Sequence, residues 1–252
     1  MIWPAYKMKR NGVPVLSRAA IDEQAQKYIT MFCPEICSTP APVPIEDFLE
    51  RYLEVMLDYQ YLSNDGRYLG MTVFTDCLVP VWDPIQKTAE PIRAKAGTIL
   101  IDNFLLEEEG TQPRYRFTLA HEAGHFLYHR TAYRMLEDSK PRLCPNSPIR
   151  TGDPMEDWSD SDWLEWQADT FASCFLLPRP AVQKAAENWK LSGGGWGESL
   201  GTTIARIFNV SHQAAIYRLQ DLGIPDEQRP FKSTLTDDMY DLEPDDEHGN
   251  WF

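Results

Sequence analysis

The sequence has little of what marks secreted and membrane proteins. Its five cysteines are an odd, scattered set in a chain of 252 residues, so a disulfide-stapled scaffold is excluded and a reducing compartment is favoured. No apolar run approaches the ~20 residues that span a bilayer, and no basic stretch followed by an apolar one opens the chain. We therefore expect a cytoplasmic protein that has no membrane partner.

Basic residues are also scarce. Lys and Arg number 24 against 38 Asp and Glu, and the resulting formal net charge of −14 makes a phosphate backbone an unfavourable partner. No Lys or Arg follows Lys232, whereas Asp and Glu remain frequent up to Glu247. Because such runs are usually solvated, we predict that residues 224–252 form an acidic, disordered tail. Nucleic acid is not an expected partner.

What the chain does contain is enough apolar sequence, 43%, to build a core. Helical spacing of apolar residues begins after Ser17 and again after the proline-rich residues 38–44. Short runs rich in β-branched and aromatic residues follow, which predict a small antiparallel or mixed sheet within an α+β fold. These predicted strands are residues 57–62, 68–74, 78–82 and 98–101.

The most informative stretch is residues 116–125, RFTLAHEAGH. On a helix, His121 and His125 stack on one face roughly 6 Å apart, so both imidazoles can point at one ion. A catalytic zinc usually takes three protein ligands and leaves its fourth position to water. The apolar residues that flank the motif favour a buried metal site over a surface helix with two idle histidines. A third ligand must then come from another element.

A second helix-like run, residues 163–177, supplies the best candidate for that ligand. Glu165 opens the string EWQAD, and Asp169 follows one turn later, where it can accept the spare N–H of a ligating histidine. If Glu165 proved dispensable for metal binding, the ligand role would pass to Asp169, Asp160 or Asp162. The sequence therefore predicts a metal centre shared by two helices.

Three further residue roles follow from the position of the motif. Glu122 projects about 100° from His121, beside the open coordination position, where it can act as the general base. His129 lies about 12 Å from His121 along the helix axis and is expected to be structural or to support a ligand. The group that stabilises the oxyanion is left open among Tyr217, Tyr128 and Arg150.

The strings RFTLAHEAGHFLYH and EWQADTFASCFLLP resemble the signature of the ImmA/IrrE-type metallo-endopeptidases, a gluzincin-like family. GTILID, from residue 97, and VSHQAAIYRLQDLG, from residue 210, extend the likeness to residues 13–223. The resemblance implies a zincin-like core, with a small twisted sheet packed on the motif helix. It also implies zinc held by His121, His125 and Glu165, Glu122 as catalytic base, and a bacterial or mobile-element protease. Its implied substrate is a specific cytosolic regulator, such as a helix-turn-helix repressor.

The C-terminal part of the chain leaves alternatives open. Residues 200–208 and 211–222 resemble a helix-turn-helix, but they offer few basic side chains, so packing or substrate docking is favoured over DNA reading. We predict a metallopeptidase domain at 1–190, a helical module at 198–223 and the tail at 224–252. The rivals are a DNA-binding regulator with a protease-like sensor domain and a non-catalytic interaction module whose metal is structural.

Two segments around the motif carry their own hypotheses. Residues 97–102 either form an exposed rim that holds a peptide as an added strand or lie buried against helices. Residues 130–162 are long and irregular. Residues 139–160 within them can act as a lid, with Cys144 either a ligand that silences the zinc or an ordinary loop cysteine.

Overall fold

The computed structural model describes residues 6–107, 109–135, 144–145, 158–192 and 198–227, with backbone alone at 144–145. The N-terminal half contains α1 (Arg18–Phe32), a 3-10 turn (Pro34–Cys37), α2 (Ile45–Asp47) with a π-helical turn (Phe48–Tyr52), β1 (Met56–Gln60), β2 (Tyr68–Thr72), β3 (Cys77–Asp83), β4 (Thr88–Ala94) and β5 (Thr98–Asp102). The C-terminal half contains α3 (Phe104–Glu107), α4 (Gln112–Tyr128), α5 (Arg130–Met135), β6 (Cys144–Pro145), α6 (Asp160–Leu176), α7 (Arg179–Leu191), α8 (Leu200–Phe208) and α9 (His212–Asp221). The predicted α+β class is confirmed.

Serine caps set the start of four helices. The Ser17 hydroxyl accepts the N–H of Ala20 at the start of α1, and α8 and α9 begin in the same way at Ser199 and Ser211. Ser159 and Asp162 form a reciprocal capping box at the start of α6, each side chain accepting the other's backbone N–H. These caps satisfy donors that the first turn of each helix leaves without partners.

The main sheet has the strand order β1–β5–β2–β6, in which β5 is parallel to β1 and antiparallel to β2. All five residues of β5 are buried. The hypothesis that residues 97–102 form an exposed, peptide-holding rim is therefore wrong, and the alternative of a buried strand is confirmed. A strand covered on both faces reads as a continuous apolar run, as TILI does here.

Strand β2 is the part of the sheet that packs on the motif helix. The Thr72 hydroxyl lies 3.1 Å from the backbone oxygen of Glu122 on α4. Met71 and Val73 instead belong to a second apolar cluster, which also includes Val79 and Val81 of the β3–β4 hairpin. Consequently β2 joins the hairpin to the site.

The main core brings α1, α4 and α6 together with the C-terminal helices. One apolar cluster contains buried residues of all of them, and α8 and α9 contribute Leu200, Ile204, Phe208, Ala214, Ala215 and Leu219. The separate C-terminal module stays a prediction. No helix within the described ranges is long and apolar enough to cross a membrane.

Several predictions fall on residues that the structure does not describe. The acidic tail lies outside the described residues from 228 onward, and so does most of the proposed lid, including Arg150. Only the backbone of Cys144 is described, so the silencing hypothesis is not addressed. The two ends of segment 130–162 are helical and not irregular as predicted, because α5 and the start of α6 occupy them.

Candidate metal centre

Close packing of α4 on α6 builds the site. A Cβ on Gly124 would lie 3.0 Å from the Cα and 3.3 Å from the carbonyl oxygen of Ala168, so the bare glycine lets the two helices approach. His121 and His125 sit on α4 on either side of this contact, and Glu165 stands on α6. Side chains that lie 40 residues or more apart in sequence thereby meet.

His121, His125 and Glu165 are the one group in the described part of the chain whose ligand atoms could share a metal ion. The two Nε2 atoms are 2.9 Å apart, and the Glu165 oxygens lie 3.4 Å from Nε2 of His121 and 3.7 Å from Nε2 of His125. Ligands about 2.0 Å from a tetrahedral ion are about 3.3 Å from each other. The spacing of these three residues therefore fits a shared ion.

The Glu165 carboxyl is held in its charged form. Burial acts to raise its pKa, but the charges of His125 and His121 and hydrogen bonds with both rings outweigh burial and hold the pKa below its ordinary value. A charged carboxylate is the form that binds a cation. Its side chain is 23% exposed, so the centre is reached from one side.

Asp169 orients His121 from the opposite side of the ring. Its Oδ1 lies 2.9 Å from Nδ1 of His121, and because a carboxylate only accepts, Nδ1 carries the proton and Nε2 keeps its lone pair for a metal. The other two alternatives for the third ligand are engaged elsewhere. Asp160 bonds Lys9 and Asn11, and Asp162 belongs to the helix cap.

Glu122 lies beside this cluster in a closely fitting pocket. It is 1% exposed, its Oε2 accepts a hydrogen bond of 2.6 Å from Thr72, and its Oε1 has no hydrogen-bond partner among the described residues. Burial raises the pKa of Glu122, and the nearby His125 and His121 oppose that rise. A buried carboxylate oxygen without a protein partner suits a group that takes up a proton from water.

Two of the three oxyanion candidates have described contacts away from the cluster. The Tyr217 hydroxyl accepts a hydrogen bond of 2.8 Å from Gln213, within α9. Tyr128 is fully buried, and its ring packs edge-on against Tyr6 and Phe171. Neither set of contacts involves His121, His125 or Glu165, and the oxyanion role of Tyr217 or Tyr128 stays a prediction. The third, Arg150, lies outside the described residues.

An aromatic pair that was not predicted from the sequence lies beside His125. Tyr133 packs edge-on against the His125 ring at 5.9 Å and stacks on Phe74 at 4.7 Å, with the ring planes 14° apart. Phe74 follows Gly70 and Thr72 at intervals of two, the spacing that places side chains on one face of a strand. This two-residue spacing was the only sequence signal that could have placed Phe74 at the site. It is informative only once β2 is known to face α4.

His129 and Gln167 also contact the cluster. Nδ1 of His129 lies 2.8 Å from Nδ1 of His125, and its Nε2 lies 3.1 Å from Oε1 of Gln167. Burial, helped by the charge of His125, holds the pKa of His129 well below its usual value. His129 thus touches a proposed ligand without joining the three ligand atoms, and Gln167 was not predicted at all.

A comparison of the sequence with known protein families identifies the family to which the chain belongs. The Peptidase_M78 model, described as an IrrE N-terminal-like domain, matches residues 92–220, from within β4 to within α9. The match includes the whole cluster, Glu122 and Asp169. No curated protein matches the chain. Because the family match spans half of its residues, the chain belongs to the Peptidase_M78 family of metallopeptidases.

Proposed function

We propose that the protein is a zinc-dependent endopeptidase. The observation that carries this proposal is the meeting of His121, His125 and Glu165, with the buried carboxylate of Glu122 beside them. Two imidazoles and one carboxylate form a donor set found in catalytic zinc sites, whereas structural zinc sites are usually closed and rich in cysteine. The rival of a purely structural metal is disfavoured on that ground.

Each side chain has a part in peptide hydrolysis. Zinc held by the three ligands would polarise the scissile carbonyl and make water a nucleophile near neutral pH. Glu122 takes the proton of the attacking water and returns it to the leaving amine. Thr72 holds one oxygen of Glu122 and leaves the other free for this transfer. Asp169 keeps His121 in the tautomer that binds metal.

The substrate that we propose is a specific cytosolic regulatory protein of the bacterial host or a mobile element, such as a helix-turn-helix repressor. Support comes from the family resemblance. Four cysteines, Cys33, Cys37, Cys77 and Cys174, are free thiols, which suits a reducing compartment such as the cytoplasm. The aromatic pair Phe74 and Tyr133 gives the site an apolar wall beside His125.

The positions of the arginine side chains on α8 and α9 disfavour a DNA-binding function for these helices. Arg218 is 1% exposed and bonds Asp22 and the carbonyl of Leu177, so it does not face a ligand. Arg206 is exposed and forms an ion pair with Glu198. A recognition helix needs free basic and amide side chains along one face. The C-terminal helices therefore support the site by packing.

The test compares metal content with cleavage of a candidate repressor. Wild type should carry about one zinc per chain and cleave the repressor. Glu122→Gln should keep the metal and lose cleavage by roughly 10²- to 10⁴-fold, because the ligands are intact while the base is gone. Glu187→Gln, the same change at an exposed position of α7, is the matched control.

A second variant tests the third ligand. Glu165→Ala should lose the bound zinc during dialysis that the wild type withstands. Full cleavage by Glu122→Gln, or a wild type that binds no zinc, would overturn the endopeptidase assignment. Full zinc affinity in Glu165→Ala would instead move the ligand role to Asp169.

A further inference from the structure

Phe74 and Tyr133 form a stacked aromatic pair at one side of the proposed site. Their ring centroids are 4.7 Å apart, the ring planes are 14° apart, and Tyr133 also packs edge-on against His125 at 5.9 Å. Both side chains are half-buried, so each ring keeps part of its surface in contact with solvent. Rings that lie beside a proposed metal ligand and remain partly exposed can receive a further apolar group.

Phe74 does not belong to the apolar cores. The three apolar clusters of the described residues include Met71 and Val73 from the same stretch of chain but do not include Phe74. Successive side chains of an extended strand point to opposite faces, so Phe74 lies on the face opposite to Val73. Core packing therefore does not account for a large apolar side chain at this position.

The strand that carries Phe74 fixes its distance from the proposed base. The hydroxyl of Thr72 bonds the Glu122 carboxylate. The extended pairing of β2 with β5 continues past Thr72, because the N–H of Val73 donates to the carbonyl oxygen of Thr98 at 2.8 Å. Phe74 is therefore the next residue on the face that carries Thr72, about 6.6 Å further along the chain.

An extended peptide has the same repeat as this strand. Its alternate side chains are also about 6.6 Å apart along the chain. A substrate that lies along β2 with its scissile carbonyl beside Glu122 therefore brings a side chain to Phe74 from a position close to the cleaved bond.

Tyr133 is held in place on the side away from the solvent. It is a partly buried aromatic residue that packs on the small cluster of Val13, Ala132 and Leu164. A ring that is fixed before the substrate arrives loses little conformational entropy on binding. Tyr133 can therefore serve as a firm support for the ring of Phe74.

We propose that Phe74 and Tyr133 select a substrate that carries a large apolar side chain within two residues of the cleaved bond. This preference presupposes the proposed endopeptidase activity and adds to it the kind of residue that the site recognises. Phe74 is the specificity-determining residue, and Tyr133 supports its ring. Phe74 precedes the family match, which begins at residue 92, so the match itself carries no information on this preference.

The test measures by calorimetry how hydroxamates, which chelate zinc, bind the zinc-loaded full chain. One pair compares N-acetylphenylalanine hydroxamate with N-acetylglycine hydroxamate, and the other compares benzylsuccinic monohydroxamate with succinic monohydroxamate. The two pairs place the benzyl group on opposite sides of the chelating group, so one of them reaches Phe74 in either direction of the peptide. In that pair we expect the benzyl compound to bind about 10- to 100-fold more tightly than its parent.

Three variants assign this preference to Phe74. Phe74→Ala should remove most of it, whereas Phe74→Tyr should keep it because the ring is retained. Phe104→Ala is the matched control, since Phe104 is another half-buried phenylalanine and packs edge-on against Tyr61. The affinity of the two parent compounds should be the same in all variants, because the three proposed zinc ligands are kept.

Parent compounds that bind, with no gain from the benzyl group in either pair, would overturn the proposal. A benzyl preference that is unchanged in Phe74→Ala would overturn it as well, because recognition would then lie elsewhere. If none of the four compounds binds, the proposed metal centre fails and this preference fails with it. The melting temperature of Phe74→Ala separates a loss of selectivity from a loss of fold.

Discussion

At the scale of single residues, the environment of Glu122 is built by strand β2 and not by its own helix. Gly70 lies against the carboxylate, and Thr72, two residues later on the same face, bonds it. Gly70 has no side chain and so leaves room for the Glu122 carboxylate, and the hydroxyl of Thr72 fixes the orientation of that carboxylate. The site therefore depends on β2 as much as on the motif.

Gly70→Ala should displace Glu122. A Cβ at this position would lie 2.8 Å from Oε1 of Glu122 and 2.8 Å from Cγ2 of Thr118, closer than atoms pack, and the free end of Glu122 is the easiest group to move. We expect kcat to fall about 100-fold, the order associated with a misplacement near 1 Å. Zinc content should be unchanged, because the three proposed ligands, His121, His125 and Glu165, are all kept. Unchanged kcat would contradict this account.

Thr72→Val tests the hydrogen bond that orients the base. The change keeps the side-chain shape and removes the donor to Oε2 of Glu122, a bond to a charged group worth about 1.5–3 kcal/mol. If that bond acts in the transition state, kcat should fall roughly 10- to 100-fold with little change in KM. Thr203→Val is the control, because its buried hydroxyl on α8 has no hydrogen-bond partner in the described structure. Equal kcat values for the two variants would refute the role of Thr72.

Site residues that come together because of their spacing along one helix could be predicted from the sequence. The four-residue interval of His121 and His125, and that of Glu165 and Asp169, led to the group that the structure brings together, although their roles stay predictions. The contact between Pro14 and Gln167 could not be predicted in the same way. It joins residues 153 positions apart, and no local pattern encodes such a pairing.

At the scale of elements, periodicity and capping predicted the helices better than the strands. Strand β4 was missed because five of its seven residues are exposed, the first four of them consecutive and including Pro91, so no alternation appears. The apolar spacing after residues 38–44 was interpreted as helical as far as Met56, but the chain leaves the helical turn at Tyr52 and enters β1 at Met56. Neither error touches α4 or α6, whose long apolar periods are the stronger signal.

One buried ion pair ties the last helix to the first. Arg218 of α9 bonds Asp22 of α1, which also pairs with Arg179 of α7. Arg218 donates further to the carbonyl of Leu177, at 3.0 Å, and to the thiol of Cys174, at 3.3 Å. The side chain of Arg218 thus connects α9 with α1 and with the C-terminal end of α6.

Arg218→Met should therefore destabilise the fold far more than Arg179→Met. Removing Arg218 takes away a buried partner of Asp22 and leaves the Leu177 carbonyl without this donor, at a cost of about 3 kcal/mol or more. The side chain of Arg179 is 50% exposed, so its loss should cost about 1 kcal/mol or less. Urea unfolding of both variants measures the two costs. Equal midpoints for Arg218→Met and Arg179→Met would contradict the prediction, because the buried contacts would then contribute no more than the exposed pair.

At the scale of the whole molecule, the proposed metal centre draws on several separate regions of the chain. The Pro14 carbonyl accepts a hydrogen bond from Gln167 of α6. Strand β2 supplies Gly70 and Thr72 beside Glu122, and α4 and α6 supply the proposed ligands. The C-terminal helices bury their apolar residues in the same cluster as α4 and α6. Such a distribution predicts that the proposed metal centre is lost when the C-terminal helices α8 and α9 are removed.

Two truncations test this dependence. A chain ending at residue 197 loses Leu200, Ile204, Phe208 and Leu219, all fully buried. At about 1.5–3 kcal/mol for each side chain, their removal costs roughly 6–12 kcal/mol, which is comparable to the total stability of about 5–15 kcal/mol of a typical domain. We expect this chain to be insoluble or unfolded and unable to bind zinc.

The matched truncation ends after residue 227. It keeps the backbone bond from Leu200 to Glu227 and the Asp226 carboxylate that accepts the N–H of Gly201 at 2.7 Å. Because the acidic residues beyond it are predicted from composition to be solvated, the melting temperature and zinc affinity should equal those of the full chain. A chain ending at 197 that still folds and binds zinc would instead show that residues 198–223 form an independent module, as the sequence alone suggested.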